Sequence, residues 1–236
     1  MKFLSIYEIK ARYVPAIIAA LPIIILSGFV KEEIWISMFH NARWFLFVEN
    51  FSMSVIAVLL LIHVQRGIAK HLFEEKIFDS GKNFPASRML LFSDDYLSEM
   101  MKVKVREKIK KDFAITLCTQ SEEQENLDEA KKSLRDAVAL VRKQVGDGDK
   151  TLQYNIHYGF SRNLIGGSVL AVPYALFCAI YAGFQGIKPV CIASSFMLFF
   201  FVAVLFLSKS IMVHYGNTYA ECLLTEFLTT NIGENI

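Results

Sequence analysis

Six basic side chains, Lys102, Lys104, Arg106, Lys108, Lys110 and Lys111, fall within ten residues in which Glu107 is the only acid. A cluster of this density can neutralise the phosphates of a nucleotide or a single-stranded oligonucleotide. It can equally lie against anionic lipid headgroups, or form the solvated face of a helix, and the residues alone leave the three readings open. A second string, Asn155 to Gly167, sets Tyr158, Phe160 and Arg162 where aromatic and basic anchors of a membrane boundary belong. Gly159, Gly166 and Gly167 there permit bends or close backbone contact. Tyr158, Gly159, Phe160, Arg162 and Asn163 read either as plain anchors or as a joint passing motion from a polar block into the next apolar run. A third group is acidic. Glu32 and Glu33 lie between the first two apolar runs, and Glu49 falls near the outer end of the second. With Pro22 in the middle of the first run, they are candidates for a pore and its mouth. Glu49 facing headgroup water or pairing with Arg43 is the competing reading.

No Gly-rich phosphate loop, HExxH, GxSxG or metal-spaced His/Cys set is present, so no enzyme activity, metal or cofactor is expected. His71 with Glu74 or Glu75 reads better as a solvated helix face than as a metal site. Cys118, Cys178, Cys191 and Cys222 have neither metal nor CxxC spacing and suit packing in a reduced compartment.

These residues must be positioned by helices in and beside a membrane. Apolar residues make up 54% of the chain, Phe alone occurs 20 times, and 25 basic residues nearly balance 23 acidic ones. Any anionic partner must therefore be met by a local cluster rather than by net charge. Four apolar runs, Val14–Val30, Trp44–Val64, Leu164–Ile187 and Pro189–Ser208, are long enough to span a bilayer at about 1.5 Å per residue. The first reads as an uncleaved anchor, because no small-x-small cleavage site follows it. Pro15 suits its first turn, and Pro22 should kink it. Lys31 to Arg43 has helical apolar spacing and suits the membrane interface, with Trp35 and Trp44 at headgroup level.

The expected architecture is all-α: an integral membrane protein with four transmembrane helices in two pairs and a helical cytosolic insert between the pairs. Residues 1–65 form the first pair, 66–163 the insert, 164–208 a tight hairpin and 209–236 a C-terminal cytosolic helix. Lys and Arg concentrate at Lys2, Lys10, Arg12, the insert and Lys209, which places both termini and the insert in the cytoplasm at a bacterial inner membrane. In the third run Gly167, Ala171, Ala175, Ala179 and Gly183 recur every fourth residue, giving a face against which another helix must lie. The fourth, rich in Phe196, Phe199, Phe200, Phe201 and Phe206, should face lipid.

Within the insert, Asp79 to Pro85 should break the helix that continues the second span. Leu97, Met101, Val105, Ile109 and Phe113 predict a helix, against the strand suggested by alternation over Lys102 to Arg106. Ser121 with Gln124 reads as a capping box opening a helix whose stripe is Leu127, Ala130, Leu134, Val138, Val141 and Val145. Tyr215, Tyr219, Leu223 and Phe227 make a stripe by which the last helix should dock on the insert.

The opening Tyr7-Glu8-Ile9-Lys10-Ala11-Arg12-Tyr13-Val14-Pro15-Ala16, the string Phe84-Pro85-Ala86-Ser87-Arg88, and Asn155-x-x-Tyr158-Gly159-Phe160-x-Arg162-Asn163-Leu164 carry a resemblance. They resemble, in order along nearly the whole chain, a widespread family of bacterial four-span membrane proteins. The chain is also similar to the membrane effectors of the Hailong anti-phage defence system. That resemblance implies a homo-oligomeric ion channel held shut by single-stranded DNA oligomers made by a partner nucleotidyltransferase. It supplies no ligand residues, so the basic cluster is assigned from its charge alone. The expectation is thus a defence effector channel gated by a nucleotide or single-stranded DNA oligomer. The alternative is a non-conducting, membrane-anchored scaffold or sensor that binds a cytosolic protein.

Overall fold

A computed structural model of the chain describes residues 5–24, 43–146 and 148–230, and the side chains of 43–54, 57 and 149 fall outside that description. Among the described residues the structure is helical and contains no strand. The chain forms two compact units, one of Met1–His71 with Gly159–Ser208, the other of Leu72–Tyr158 with Lys209–Ile236.

The first unit begins with α1, residues 6–24, whose start is fixed by a reciprocal cap. The Glu8 amide donates to Ser5 Oγ at 3.2 Å while the Ser5 amide donates to the Glu8 carboxylate at 3.2 Å. This start lies well upstream of Val14, so Pro15 stands inside the helix rather than in its first turn. One wide π turn, Ile9–Tyr13, precedes it. The second helix, α2, is Arg43–Ile68 and continues through a π segment, Ala69–Glu74, and Glu75–Ile77.

Helix α7 is Asp149–Phe184 and α8 is Lys188–Phe206, joined by a turn in which Gly186 takes φ +72°, a left-handed value glycine adopts without a Cβ clash. Both helices are long and apolar enough to cross a membrane by length and composition. α7 runs parallel to α1, and α2 runs antiparallel to both. A Cβ on Gly159 would meet Ala11, one on Gly167 would meet Ala19, and one on Gly166 would meet Ala69.

The core of this unit joins Ala16, Ala19 and Ala20 of α1, Leu61 and Ile62 of α2, Ala171 of α7 and Phe201 of α8. Small residues thus set the helix spacing, as the sequence pattern predicts for Gly167, Ala171 and Ala175. Beyond Ala175 the buried line shifts to Cys178 and Ala182, leaving Ala179 half-buried and Gly183 exposed. The reason is geometric: a spacing of four advances about 400° on a helix, so a strict four-residue row drifts off a straight contact line. In α8, Phe196 at 72% exposure and Phe206 at 86% face outward as expected. Phe201, 1% exposed, instead plugs the alanine-lined core.

The second unit packs α3 (Pro85–Arg88), α4 (Glu99–Phe113), α5 (Gln120–Glu125), α6 (Leu127–Val145), the first turns of α7 and the C-terminal helix α9 (Ser208–Thr229). The break at Asp79 to Pro85 is real: Asp79, Ser80 and Gly81 all take positive φ, and Pro85 opens α3. α4 is a helix, not a strand, begun by Ser98, whose Oγ accepts from the Met101 amide, and it buries Val105 and Ile109.

Two boundaries differ from expectation. The capping box belongs to Thr119 and Glu122 rather than Ser121 and Gln124, and Asn126 ends α5 and opens α6 as a separate helix by accepting from the Glu129 amide at 3.2 Å. Leu127 therefore sits at a helix start, 44% exposed, while Ala130, Leu134, Val138, Val141 and Val145 form the buried stripe. α9 docks through its aromatic stripe: Tyr219 stacks on Tyr158 with centroids 6.3 Å apart, and Phe227 stacks on Phe113 at 6.0 Å.

Candidate functional site

The expected joint residues divide between the two units. Tyr158 is buried in the second unit, edge-on to Phe84 at 5.9 Å and stacked on Tyr219, while Gly159, Phe160, Arg162 and Asn163 belong to the first. Phe160 and Arg162 are half-buried and Asn163 is buried. Gly159 has a packing reason to lack a side chain, since a Cβ there would stand 3.0 Å from Ala11 Cβ and 2.9 Å from Tyr7 Oη.

Asn163 completes a polar crossing of three helices. Pro15 has no amide hydrogen, so the Ala11 carbonyl, one turn before it, lacks its usual helical donor. Asn163 Nδ2 supplies one from α7 at 2.5 Å. On the next carbonyl, Arg12 O, Gln65 Nε2 of α2 donates at 2.9 Å. Both carbonyls belong to the π turn Ile9–Tyr13, whose wider winding disrupts the regular ladder. Gln65 is fully buried, and neither Gln65 Oε1 nor Asn163 Oδ1 finds a donor among the described residues. Gln65 is not conspicuous in the sequence. The available signal was Pro15 itself, which orphans a carbonyl as soon as the helix is seen to start before it.

The basic cluster divides sharply. Lys102 is 0% exposed; it pairs with Glu99 at 2.7 Å and donates to the carbonyls of Asp94 and Phe92. Arg106 donates to Leu90 O at 2.6 Å and to Cys118 O, and lies 4.2 Å over the Phe92 ring. From the other side, Glu123 accepts from the amides of Phe92 at 2.8 Å and Ser93 at 3.0 Å. Lys108 pairs with Asp112 at 3.2 Å and sits 5.3 Å from the Phe227 ring.

Lys102 and Arg106 therefore hold the irregular segment between α3 and α4 in place. A buried backbone carbonyl without a donor is costly, and these side chains provide the donors that a helix would have given. Lys104, Lys110 and Lys111 remain exposed without an ion pair among the described residues. Lys104 and Lys111, seven residues apart, share a face to within about 20°, while Lys110 lies about 100° away on a regular helix. The three do not converge on one point.

Of the expected mouth residues, Glu32 and Glu33 lie outside the described residues, as does Trp35. Glu49 lies on α2 where side chains are not described. Pro22 is buried in the first unit, and its carbonyl accepts from the Cys178 thiol at 3.6 Å.

A second buried-end arrangement was not foreseen. Glu226 of α9 accepts from the Thr151 amide at 2.9 Å and from the Thr151 hydroxyl, placing a carboxylate on the first turn of α7. Free amides at a helix start favour such a charge. Gly148 makes room, since a Cβ there would collide with that carboxylate. Among the described residues no group of three or more His, Cys, Asp or Glu is placed to hold a metal ion. Compared with known families, curated proteins and solved structures, the chain matches none.

Proposed function

We propose that the chain is a four-span bacterial inner-membrane protein that assembles into a homo-oligomeric ion channel. In this reading it acts as an effector of anti-phage defence, and an anionic ligand, a nucleotide or single-stranded DNA oligomer, sets its open and closed populations from the cytosolic unit. α1 and α2 are the first pair of spans, α7 and α8 the second, and a nucleotidyltransferase-type partner supplies the ligand.

The observation that carries the proposal is the crossing of α1, α2 and α7 at a π turn whose carbonyls are held by two buried amides, Gln65 and Asn163. π turns inside α-helices are rare and frequent at functional sites, and here the carbonyls that the turn takes out of the ladder are each held by one amide from a neighbouring helix, so a shift of either helix must exchange these bonds. A ligand then shifts the balance by its differential affinity for the two states. Outward-facing Phe196, Phe199 and Phe206 support the lipid setting.

The test is ion flux through purified protein in liposomes, with and without a synthetic single-stranded DNA oligomer on the cytosolic side. Flux that changes with the oligomer supports the channel. Internal pairing of Lys102, Arg106 and Lys108 favours a second reading, a non-conducting anchored scaffold, because it turns half of the basic cluster into framework. Assembled protein that conducts nothing with or without oligomer decides for that reading.

A further inference from the structure

Among the described residues, the second unit contains a cleft of about 520 Å³ between the Asp79 to Pro85 break, the segment after α3, the first turns of α6 and the start of α9. Arg88, Lys131 and Lys209 line it, with Asn83 and Ser93 as further polar residues, and none of its lining residues is acidic. Phe78, Leu127 and Val213 are among its apolar lining residues. Three cations from three different elements meet one space, which α4 does not achieve with Lys104, Lys110 and Lys111.

Arg88 is fixed in orientation: Asp94 holds its Nε at 2.9 Å, and Nη2 donates to Asn217 at 3.4 Å. Lys131 and Lys209 make no ion pair among the described residues, although their neighbours Lys82 and Lys132 both pair with Asp128. Two unpaired ammonium groups beside an anchored guanidinium repel one another, and that repulsion is relieved by an anion. The size lies within the range of about 300–1,000 Å³ usual for small-molecule sites. Leu127 lies one turn before Lys131 on α6, and Val213 one turn after Lys209 on α9, so each helix presents a cation beside an apolar side chain, which fits a ligand with both a phosphate and a carbon-rich part.

The geometry points to a phosphate-ester site: the phosphate sits among Lys131, Lys209 and Arg88, and the esterified group lies on Phe78, Leu127 and Val213. This deepens the proposed function and rests on its reading of the second unit as the ligand-binding one, while moving the ligand off α4. Two sources carry the same chemistry, a soluble nucleotide and a phospholipid headgroup. Lys209 follows the apolar helix ending at Phe206 by three residues, so a headgroup source is within the logic of the membrane reading.

The test uses full-length protein in neutral detergent and a fluorescent nucleotide, mant-dATP, titrated at one ionic strength. Lys131→Gln with Lys209→Gln should weaken binding at least tenfold, and so should Leu127→Glu, which sets a carboxylate at an exposed position of the rim. The α4 triple variant, Lys104→Gln with Lys110→Gln and Lys111→Gln, should bind within threefold of wild type. Dihexanoyl phosphatidylglycerol is then added as competitor, with dihexanoyl phosphatidylcholine as control. Displacement by the glycerol lipid alone supports a site open to headgroups, and no displacement supports one selective for nucleotide.

If wild type binds neither mant-dATP nor the glycerol lipid, or if the double variant and Leu127→Glu bind as wild type, the site is overturned. Loss in the α4 variant alone overturns it too. Liposome flux on the same preparations separates the two claims. Flux without cleft-dependent binding removes the site and leaves the channel, whereas cleft-dependent binding without flux removes the channel and leaves the site.

Discussion

Gly166→Ala tests the helix packing of the first unit with the addition of one carbon. A Cβ at this position would stand 2.9 Å from Ala69 Cβ and 2.9 Å from the Gln65 carbonyl carbon, and closer still to the Gln65 carbonyl oxygen, where ordinary contact begins at 3.4 Å. The obstacle is backbone, which cannot swing aside as the end of a side chain can. α2 and α7 must therefore part by about 1 Å or more, and the buried Gln65 amide moves with α2. Overpacking of this kind costs roughly 1–3 kcal/mol. For a chain of this size each 1 kcal/mol lowers the melting midpoint by about 2–4 °C.

Gly67→Ala is the matched control, since a Cβ there meets nothing within 4 Å. Removing a helix-interior glycine should be neutral or stabilising by up to about 1 kcal/mol. Both variants, purified in the same detergent, would be melted by far-ultraviolet circular dichroism. Gly166→Ala should melt several degrees below wild type and Gly67→Ala at or above it. Equal midpoints for Gly166→Ala and wild type would refute the close approach of α2 to α7.

Ala175→Leu, at a fully buried position on the small-residue line of α7, should cost about 1–3 kcal/mol by the same overpacking, read as a lower midpoint, and an unchanged midpoint would mean that the position faces lipid. Lys102→Met should destabilise by roughly 2–4 kcal/mol, because it leaves the Phe92 and Asp94 carbonyls without their charged donor, whereas exposed Lys104→Gln should stay within about 0.5 kcal/mol in urea titration. Glu226→Ala should cost about 1 kcal/mol by uncapping α7 and should speed amide exchange at Thr151, and exchange equal to wild type would show that the carboxylate does not cap. The Glu122 carboxyl is held below the usual glutamate range by the Thr119 amide and then by the Thr119 hydroxyl. Its contribution is therefore present above the unfolded value of about 4.3 and is lost as pH falls through the lower folded value. Acid should then loosen amide protection at the start of α5 in wild type but not in Glu122→Gln, which has no carboxyl to protonate, and identical acid profiles would contradict the assignment.

Local pattern carried a large part of this protein. Apolar length marks α7 and α8 as able to cross a membrane. The four-residue apolar recurrence made α4 a helix despite its alternating start, and the positive-φ break at Asp79 to Gly81 follows from Asp, Ser and Gly before Pro85. The small face of α7 was legible for the same reason: side-chain size and helical spacing are properties of neighbours in sequence. What escaped were interactions whose partners are far apart along the chain. Lys102 and Arg106 look no different from Lys104 and Lys111 in the sequence, yet the carbonyls of Phe92, Asp94, Leu90 and Cys118 draw the first pair inward. Phe201 fills a space made by alanines on α1 and α7, and Glu226 caps a helix at Thr151, 75 residues before it. Asn163 and Gln65 meet carbonyls that one proline and one π turn take out of the helical ladder. A buried polar group must find a partner, and sequence states that obligation, but only the packed chain decides which atom meets it.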